Sequence, residues 1–222
     1  MIGQTRWYLE TLPLRGEVVC DLGANVGELS EFFVRAGARR VVSVEPLAEN
    51  VAQLRARIAA LGADDRWEVA ACAVSDRRGE VLLRRADDEG VVANSAVISA
   101  EAPDALRAPC DTLAGLCPDA TVVKMDIEGH EYEVLDQALA AMPGVRAWAI
   151  ELHMTSRPLQ GVIQQLAAHG FRVFGAGRAA GDPGGHWLTA EVPPTLSWDA
   201  LPVAARRADG SVFKMLHVVA RR

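Results

Sequence analysis

The sequence predicts an α/β fold built on a mostly parallel sheet with helices on both faces. Three observations carry that expectation. Short apolar runs alternate with amphipathic stretches of helical period along most of the 222 residues. The amphipathic stretches are long enough for crossover helices, which parallel neighbours require and hairpins do not. Asp21, Glu45, Ser75, Asp126 and Glu151 stand at or near the ends of successive apolar runs, the rim at which such sheets bind ligands.

Val18-Val19-Cys20 opens the first strand, which runs into Asp21. Val26, Leu29, Phe33 and Ala36 share a helical face, closed by Gly37. Val41 to Val44 is a second strand, ending at Glu45-Pro46. Leu47, Val51, Leu54, Ile58 and Leu61 then recur at helical spacing, and Gly62 ends that helix. Trp67 to Val74 reads as a third strand, followed by a turn at Arg78-Gly79 and a short strand. Asp111 is placed to cap a brief helix through Leu116. Thr121 to Met125 is a fourth strand, Tyr132 to Ala141 a helix, Trp148 to Leu152 a fifth strand, Leu159 to His169 a helix and Phe171 to Phe174 a sixth strand. Gly175 to Gly185 reads as a glycine-rich loop, and with Trp187 as a mobile lid. Val212 to Ala220 reads as the last strand.

Half of the residues are hydrophobic, and no repeat or long linker interrupts the pattern, so one domain spanning 1–222 is expected. Its cofactor half is expected at 15–100, with acceptor-side elements at 87–109 and 153–200. Charge is uneven: fifteen Lys/Arg face twenty-four Asp/Glu up to residue 150, and eight face five beyond it. A nucleic-acid binder normally carries a basic stripe, which disfavours nucleic acid as a partner. Cys20, Cys72, Cys110 and Cys117 form no C-x-x-C pair, so the spacing suits neither a zinc site nor a disulfide framework. No apolar stretch approaches the ~20 residues that cross a bilayer, and the opening MIGQTRWYLE lacks a leader's apolar core. A cytoplasmic protein with no membrane partner is expected. Arginine outnumbers lysine twenty-one to two, which makes each lysine conspicuous.

The strongest local pattern is VVCDLGANVG at 18–27, a strand running into a glycine turn that opens a helix. Glycine lets backbone approach a ligand closely. A dinucleotide turn wants glycine at its first, third and sixth positions; here the third is Asn25 and the sixth Glu28. Asp21 and Glu28 beside a pyrophosphate would also be electrostatically poor. S-adenosylmethionine, with an ammonium, a sulfonium and a ribose diol but no phosphate, fits better. Asp21 and the turn can meet its cationic end, and Glu45, about 20 residues on, can accept both ribose hydroxyls.

DLGANVG, the VEP at 44–46 and KMDIEGHE at 124–131, with AVSD at 73–76, CDTL at 110–113 and IELH at 150–153, resemble the FkbM group of S-adenosylmethionine-dependent methyltransferases over residues 18–175. The resemblance implies a Rossmann-like, seven-stranded methyltransferase fold and O-methylation of a sugar or natural-product hydroxyl. Cofactor contacts are then expected from Asp21, Gly23, Asn25, Gly27, Glu45, Pro46, Ala73, Ser75 and Asp126.

Methyl transfer from a sulfonium is an in-line displacement, and an alcohol needs its proton taken or its pKa lowered by a metal. Lys124, Asp126 and Glu128 alternate, so their side chains share one side of a strand-like segment. Asp126 is the first candidate for contact with cofactor or acceptor. Lys124 reads either as a direct participant or as an ion-pair partner of Asp126 or Glu128, and Glu128 either as a site residue or as a helix-opening acid. Glu151 and His153 repeat the pattern on the next strand, and His153 has the pKa of a general base. Asp126, Glu151 and His153 together are an alternative Mg²⁺ set. Asn94-Ser95 reads as an acceptor contact or a turn. The expected partner is a small hydroxylated acceptor. A ribose 2′-hydroxyl RNA methyltransferase, a non-catalytic cofactor-binding partner subunit and a nicotinamide-dependent oxidoreductase are the rival readings.

Overall fold

The computed structural model describes residues 9–86, 94–99, 102–153, 159–178, 187–191, 205–206, 212–213 and 215–222. They gather into two compact units, one of residues 13–145 and the other of residues 9–12 with 146–222.

The larger unit opens with β1 (Val18–Leu22), α1 (Glu28–Arg35), β2 (Arg40–Val44), α2 (Ala48–Leu61) and β3 (Trp67–Ala70). It continues through β4 (Ala73–Val74), β5 (Gly79–Ala86), β6 (Asn94–Ile98), β7 (Leu106–Asp111), α3 (Leu113–Leu116), β8 (Val122–Met125) and α4 (Glu131–Ala141). The order β8-β1-β2-β3 is parallel throughout, with Val19 opposite Val41 on one side and Val122 on the other. Every residue of β1 and β8 is buried, as interior parallel strands require. The chain steps outwards from β1 to β3 and then returns to β8. Right-handed crossovers therefore put α1 and α2 on one face and the returning connection on the other. A second sheet, β4-β7-β5-β6, closes on a small core of Ala73, Val81, Leu83, Ala108 and Cys110, with Val97 packed against it.

The smaller unit holds a 3₁₀ turn (Leu9–Thr11), β9 (Ala147–His153), α5 (Leu159–Ala168), β10 (Arg172–Arg178), β11 (Trp187–Glu191), β12 (Ala205–Arg206), β13 (Val212–Phe213) and β14 (Met215–Arg221). β14 runs antiparallel between β9 and β10, which therefore point the same way, and β11 adds a hairpin strand beside β10. The expected class, mixed α/β on a mostly parallel sheet, is the one observed. β1, β2, β3 and β8 supply its parallel strands in the larger unit, and β9, β10, β11 and β14 pair with one another in the smaller one. No helix among the described residues is long and apolar enough to cross a membrane.

Several local expectations are corrected. The apolar run from Trp67 to Val74 is two strands: Cys72 N–H turns back onto Ala70 O (3.0 Å), and Ala73-Val74 pair with Cys110-Asp111 in the second sheet. Unbroken hydrophobicity hides such a change of sheet. Asn94-Ser95 lie in β6 and 106–111 in β7 rather than in a loop. Exposed arginines, Arg84 and Arg85 in β5 and Arg107 in β7, blur the alternation of the second sheet's strands. The brief helix is capped by Thr112, whose Oγ1 accepts from Gly115 N–H (3.1 Å), and not by Asp111. Gly175 to Arg178 belong to β10, paired on both edges, and Trp187 begins β11, so these ends of the expected lid are sheet. Residues 179–186 lie outside the described ones. Of the expected last strand, Val212–Phe213 pair with β12 as β13, and β14 runs from Met215 to Arg221.

One buried polar chain crosses the larger unit on the α1 side. Trp67 Nε1–H donates to Ser43 Oγ (2.7 Å), Ser43 meets Ser30 Oγ (2.6 Å), and Ser30 donates to Asp21 Oδ2 (2.5 Å). Asp21 Oδ1 then pairs with Lys124 Nζ at 3.2 Å. The chain links β3, β2, α1, β1 and β8, and all five residues are buried. Removing one partner of such a pair strands the other charge. Lys124→Met should therefore cost about 3–5 kcal/mol in urea unfolding, and adding Asp21→Asn should restore most of it. A double variant no more stable than the single one would contradict the pairing.

Candidate active site

The site begins at the glycine turn after β1. Gly23 has φ +72°, and a Cβ there would collide with the carbonyl oxygen of Asp126. Gly27 has φ +85°, and a Cβ there would press into Leu54 and come within 3.2 Å of Trp67. The two glycines thus let the turn pass directly against the end of β8 and let α1 pack on α2 and β3.

Every backbone N–H of this turn is satisfied inside the protein. Gly23 and Ala24 both donate to Val44 O (3.0 Å each), and Gly27 donates to Ala24 O (2.9 Å). Val26 N–H donates to Asn25 Oδ1 (2.7 Å), and Asn25 N–H donates to Glu45 Oε2 (3.0 Å). Glu45 Oε1 accepts from Leu47 N–H (3.0 Å) and Asn50 Nδ2 (3.2 Å). Glu45 is 4% exposed. Burial pushes its carboxyl above the ordinary range, and the hydrogen bonds from Leu47, Asn50 and Asn25 oppose that rise.

Lys124 anchors the turn from β8. Its Nζ donates to Gly23 O (2.9 Å) and Leu22 O (3.4 Å), beside its pairing with Asp21. Asp126 Oδ2 lies 3.9 Å from the same ammonium, and Asp126 N–H donates to Leu22 O (3.1 Å).

A pocket of about 650 Å³ of empty volume, open to solvent, lies at these strand ends. It is lined by Gly23, Asn25, Val44, Glu45, Pro46, Cys72, Ala73, Val74, Leu83, Val97, Asp126, Ile127 and Glu128. The lining combines apolar side chains with the three carboxylates of Glu45, Asp126 and Glu128, and among the described residues no Lys or Arg lines it. Asn25 (φ 52°) and Glu128 (φ 56°) are the non-glycine residues with positive φ among the described residues, and both line the pocket. Backbone held in that region concentrates at functional sites. Cys72 brings a thiol whose pKa burial pushes up to about 11, so it stays protonated at neutral pH.

Of the expected cofactor contacts, Gly23, Asn25, Glu45, Pro46, Ala73 and Asp126 line the pocket. Asp21 does not: it is fully buried and engaged by Ser30 and Lys124. Gly27 faces Leu54 and Trp67. Ser75 is buried, with its Oγ at 3.0 Å from Asp76 Oδ1 and 3.1 Å from His130 Nε2. Of the expected chemical residues, Asp126 and Glu128 line the pocket and Lys124 holds the turn. Glu128 does not open a helix, since α4 begins at Glu131. Glu151 and His153 belong to the smaller unit, at the end of β9, where His153 is buried with Nε2 3.8 Å from Glu151 Oε1. Mg²⁺ commonly takes one or two carboxylates plus waters and substrate oxygens. Asp126 and Glu128 are the acids of the larger unit that suit it.

Sequence reasoning missed Val44, Cys72, Val74, Leu83, Val97 and Ile127 as lining residues. Cys72 and Val74 flank Ala73, and the strand-end rule could have found them. Leu83 and Val97 reach the pocket through the second sheet, which periodicity did not reveal.

A parallel β8-β1-β2-β3 order with a pocket at the strand ends is the Rossmann-like arrangement, in which ligands bind beyond the carboxyl ends of the strands. A Streptococcus pneumoniae protein provisionally assigned as a tRNA (m1A22) methyltransferase has this fold (TM-score 0.52, 12% identity, covering 100% of this chain and 71% of that one). The methyltransferase FkbM domain matches residues 21–173, and the chain belongs to that family. An FkbM methyltransferase from Methylobacillus flagellatus is similar at 21% identity and TM-score 0.44, over 61% of this chain and 32% of that one. The chain thus spans about a third of that protein's length. Magnesium protoporphyrin IX methyltransferase from Synechocystis is similar at 14% identity and TM-score 0.49, over 97% of this chain and 75% of that one. No curated protein matches the chain.

His130 gives the site a pH dependence. Burial holds its pKa below the usual 6.5, against the opposing pull of Glu133 and Asp76. Its neutral form is therefore favoured in the fold. The stability this contributes is complete above the unfolded value and is lost as pH falls through the lowered folded one. The urea midpoint should decline below about pH 6.5, and His130→Gln should flatten part of that decline. Identical pH profiles for the two proteins would contradict it.

Proposed function

We propose that the chain is an S-adenosylmethionine-dependent O-methyltransferase acting on a hydroxyl of a sugar or natural-product small molecule. The observation that carries this reading is the glycine turn with all five N–H groups satisfied internally, set beside three carboxylates. A pyrophosphate is bound by free turn N–H groups and a helix N-terminus. The N–H groups of this turn are all taken, and the carboxylates beside it repel phosphate. An adenosyl group carrying a sulfonium and an ammonium suits both kinds of lining: apolar side chains at Val44, Ala73, Val74, Leu83 and Val97 for the base, acids for the cations.

Glu45 already accepts three protein N–H bonds. A carboxylate has about four acceptor sites, which leaves Oε2 one for a ribose hydroxyl rather than the two expected from sequence. When bound, the cofactor supplies an electrophilic methyl group. The chain's part is to align the acceptor hydroxyl with it and to take the hydroxyl proton. Asp126 and Glu128 are the pocket's candidate bases, and His153 is a second candidate by residue type. Excess acid over the first 150 residues favours a compact acceptor over RNA.

Two measurements test the reading. Glu45→Ala should weaken S-adenosylhomocysteine binding about ten- to a hundredfold, as loss of a charge-assisted hydrogen bond does. Unchanged affinity by calorimetry would remove Glu45 from the cofactor site. With labelled S-adenosylmethionine and a panel of hydroxylated sugars and natural products, Asp126→Asn should lower turnover by about 10²–10⁴ with little change in affinity for S-adenosylhomocysteine, which is neutral at sulfur. Activity lost to a chelator and restored by Mg²⁺ would move the activation of the acceptor from a base to a metal. Methylation of RNA with no small acceptor used would reject the substrate class.

A further inference from the structure

Three consecutive pocket residues, Asp126, Ile127 and Glu128, sit on the turn between β8 and α4. Asp126 is tied down by its N–H bond to Leu22 O. The remainder of the turn is held by a side chain outside the pocket. Glu131, the first residue of α4 and 0% exposed, reaches back so that Oε1 accepts from Ile127 N–H (3.1 Å) and Gly129 N–H (3.0 Å). Those two N–H groups flank Glu128, whose backbone is in the left-handed region.

Helix-capping carboxylates serve N–H groups at the helix start. Glu131 instead serves two groups that precede the N-cap His130. Alternate N–H groups converging on one oxygen make an anion-binding nest, and here the chain's own carboxylate fills it. A φ of +56° at a glutamate persists only when its surroundings impose it, and Glu131 supplies the bonds on both sides of it.

We propose that Glu131 is a positioning residue, holding the 126–129 turn so that the Asp126 and Glu128 carboxylates face the methyl group and the acceptor. The proposal rests on the methyltransferase reading of the pocket. It requires no contact between Glu131 and either ligand.

The test uses two cofactor analogues and no acceptor. S-adenosylhomocysteine is neutral at sulfur, whereas sinefungin places an amine-bearing carbon where the sulfonium and its methyl stand. The wild type should prefer sinefungin about tenfold, as an ammonium beside carboxylates does. Glu131→Ala should erase that preference while S-adenosylhomocysteine affinity stays within about threefold. Glu131→Gln, whose amide oxygen can accept the same two N–H groups, should keep it. Glu131→Asp keeps the charge at the helix start but is one methylene short, and should lose the preference even if the alanine variant fails to fold. Retention of the preference in both the Ala and Asp variants would overturn the proposal. So would equal loss of both analogues, the mark of a merely structural role, or the absence of any preference in the wild type. A wild type that binds neither analogue would overturn the methyltransferase reading itself, and the proposal with it.

Discussion

Asp21 on β1 and Lys124 on β8 form a charged pair closed off from water, 3.2 Å apart. Burying two such charges is costly, and attraction offsets the cost only where the remaining donors and acceptors are also satisfied. Here Ser30 takes the second oxygen of Asp21, and the ammonium reaches the carbonyls of Gly23 and Leu22. The pair therefore does two things at once. It locks two adjacent strands, and it fixes the carbonyl side of the glycine turn, whose N–H side is fixed by Val44 and Glu45. A turn held on both sides has its five N–H groups engaged within the protein, and Gly23 brings it into contact with Asp126.

The chemistry of the pocket follows from that saturation. A turn that has used its donors presents a ligand with acceptors and apolar walls. Glu45 shows how closely fold and site are joined. The carboxylate that would meet a ribose hydroxyl also bonds Asn25, Leu47 and Asn50. Burial raises its pKa while those bonds hold it down, and the bonds to Asn25 and Leu47 close the turn onto the end of β2. At the opposite rim Asp126 and Glu128 share a turn set by Leu22 and Glu131. The glycine-turn topology that in other proteins cradles phosphate here has its N–H groups engaged and carboxylates beside it.

Parallel interior strands were legible because burial on two faces leaves an unbroken apolar run. β1, β2 and β8 were placed within a residue or two, and α2 by its spacing. Glu45 and Asp126 were legible because strand ends carry ligands. Asp21 and Lys124 were equally conspicuous, but a sequence shows that an acid and a lysine share a rim, not whether they meet each other or a ligand. The second sheet was hidden: its strands expose one side, and the run from Trp67 to Val74 carries no mark of the change of sheet at Cys72. Leu83 and Val97 were lost with it. Asn25 tolerates a left-handed backbone by residue type. Glu128 does not, and the N–H groups on either side of it donate to Glu131, an arrangement that only the fold reveals.

The saturated turn makes cofactor choice the most direct test. Calorimetry of the wild-type chain should be run in parallel with S-adenosylmethionine, NAD⁺ and ATP, all of which share an adenosine and differ in phosphate. The expected result is binding of S-adenosylmethionine alone, with heat abolished by prior saturation with S-adenosylhomocysteine. Binding of NAD⁺ or ATP in its place would mean that the turn does offer donors to phosphate, and would contradict the assignment of the pocket.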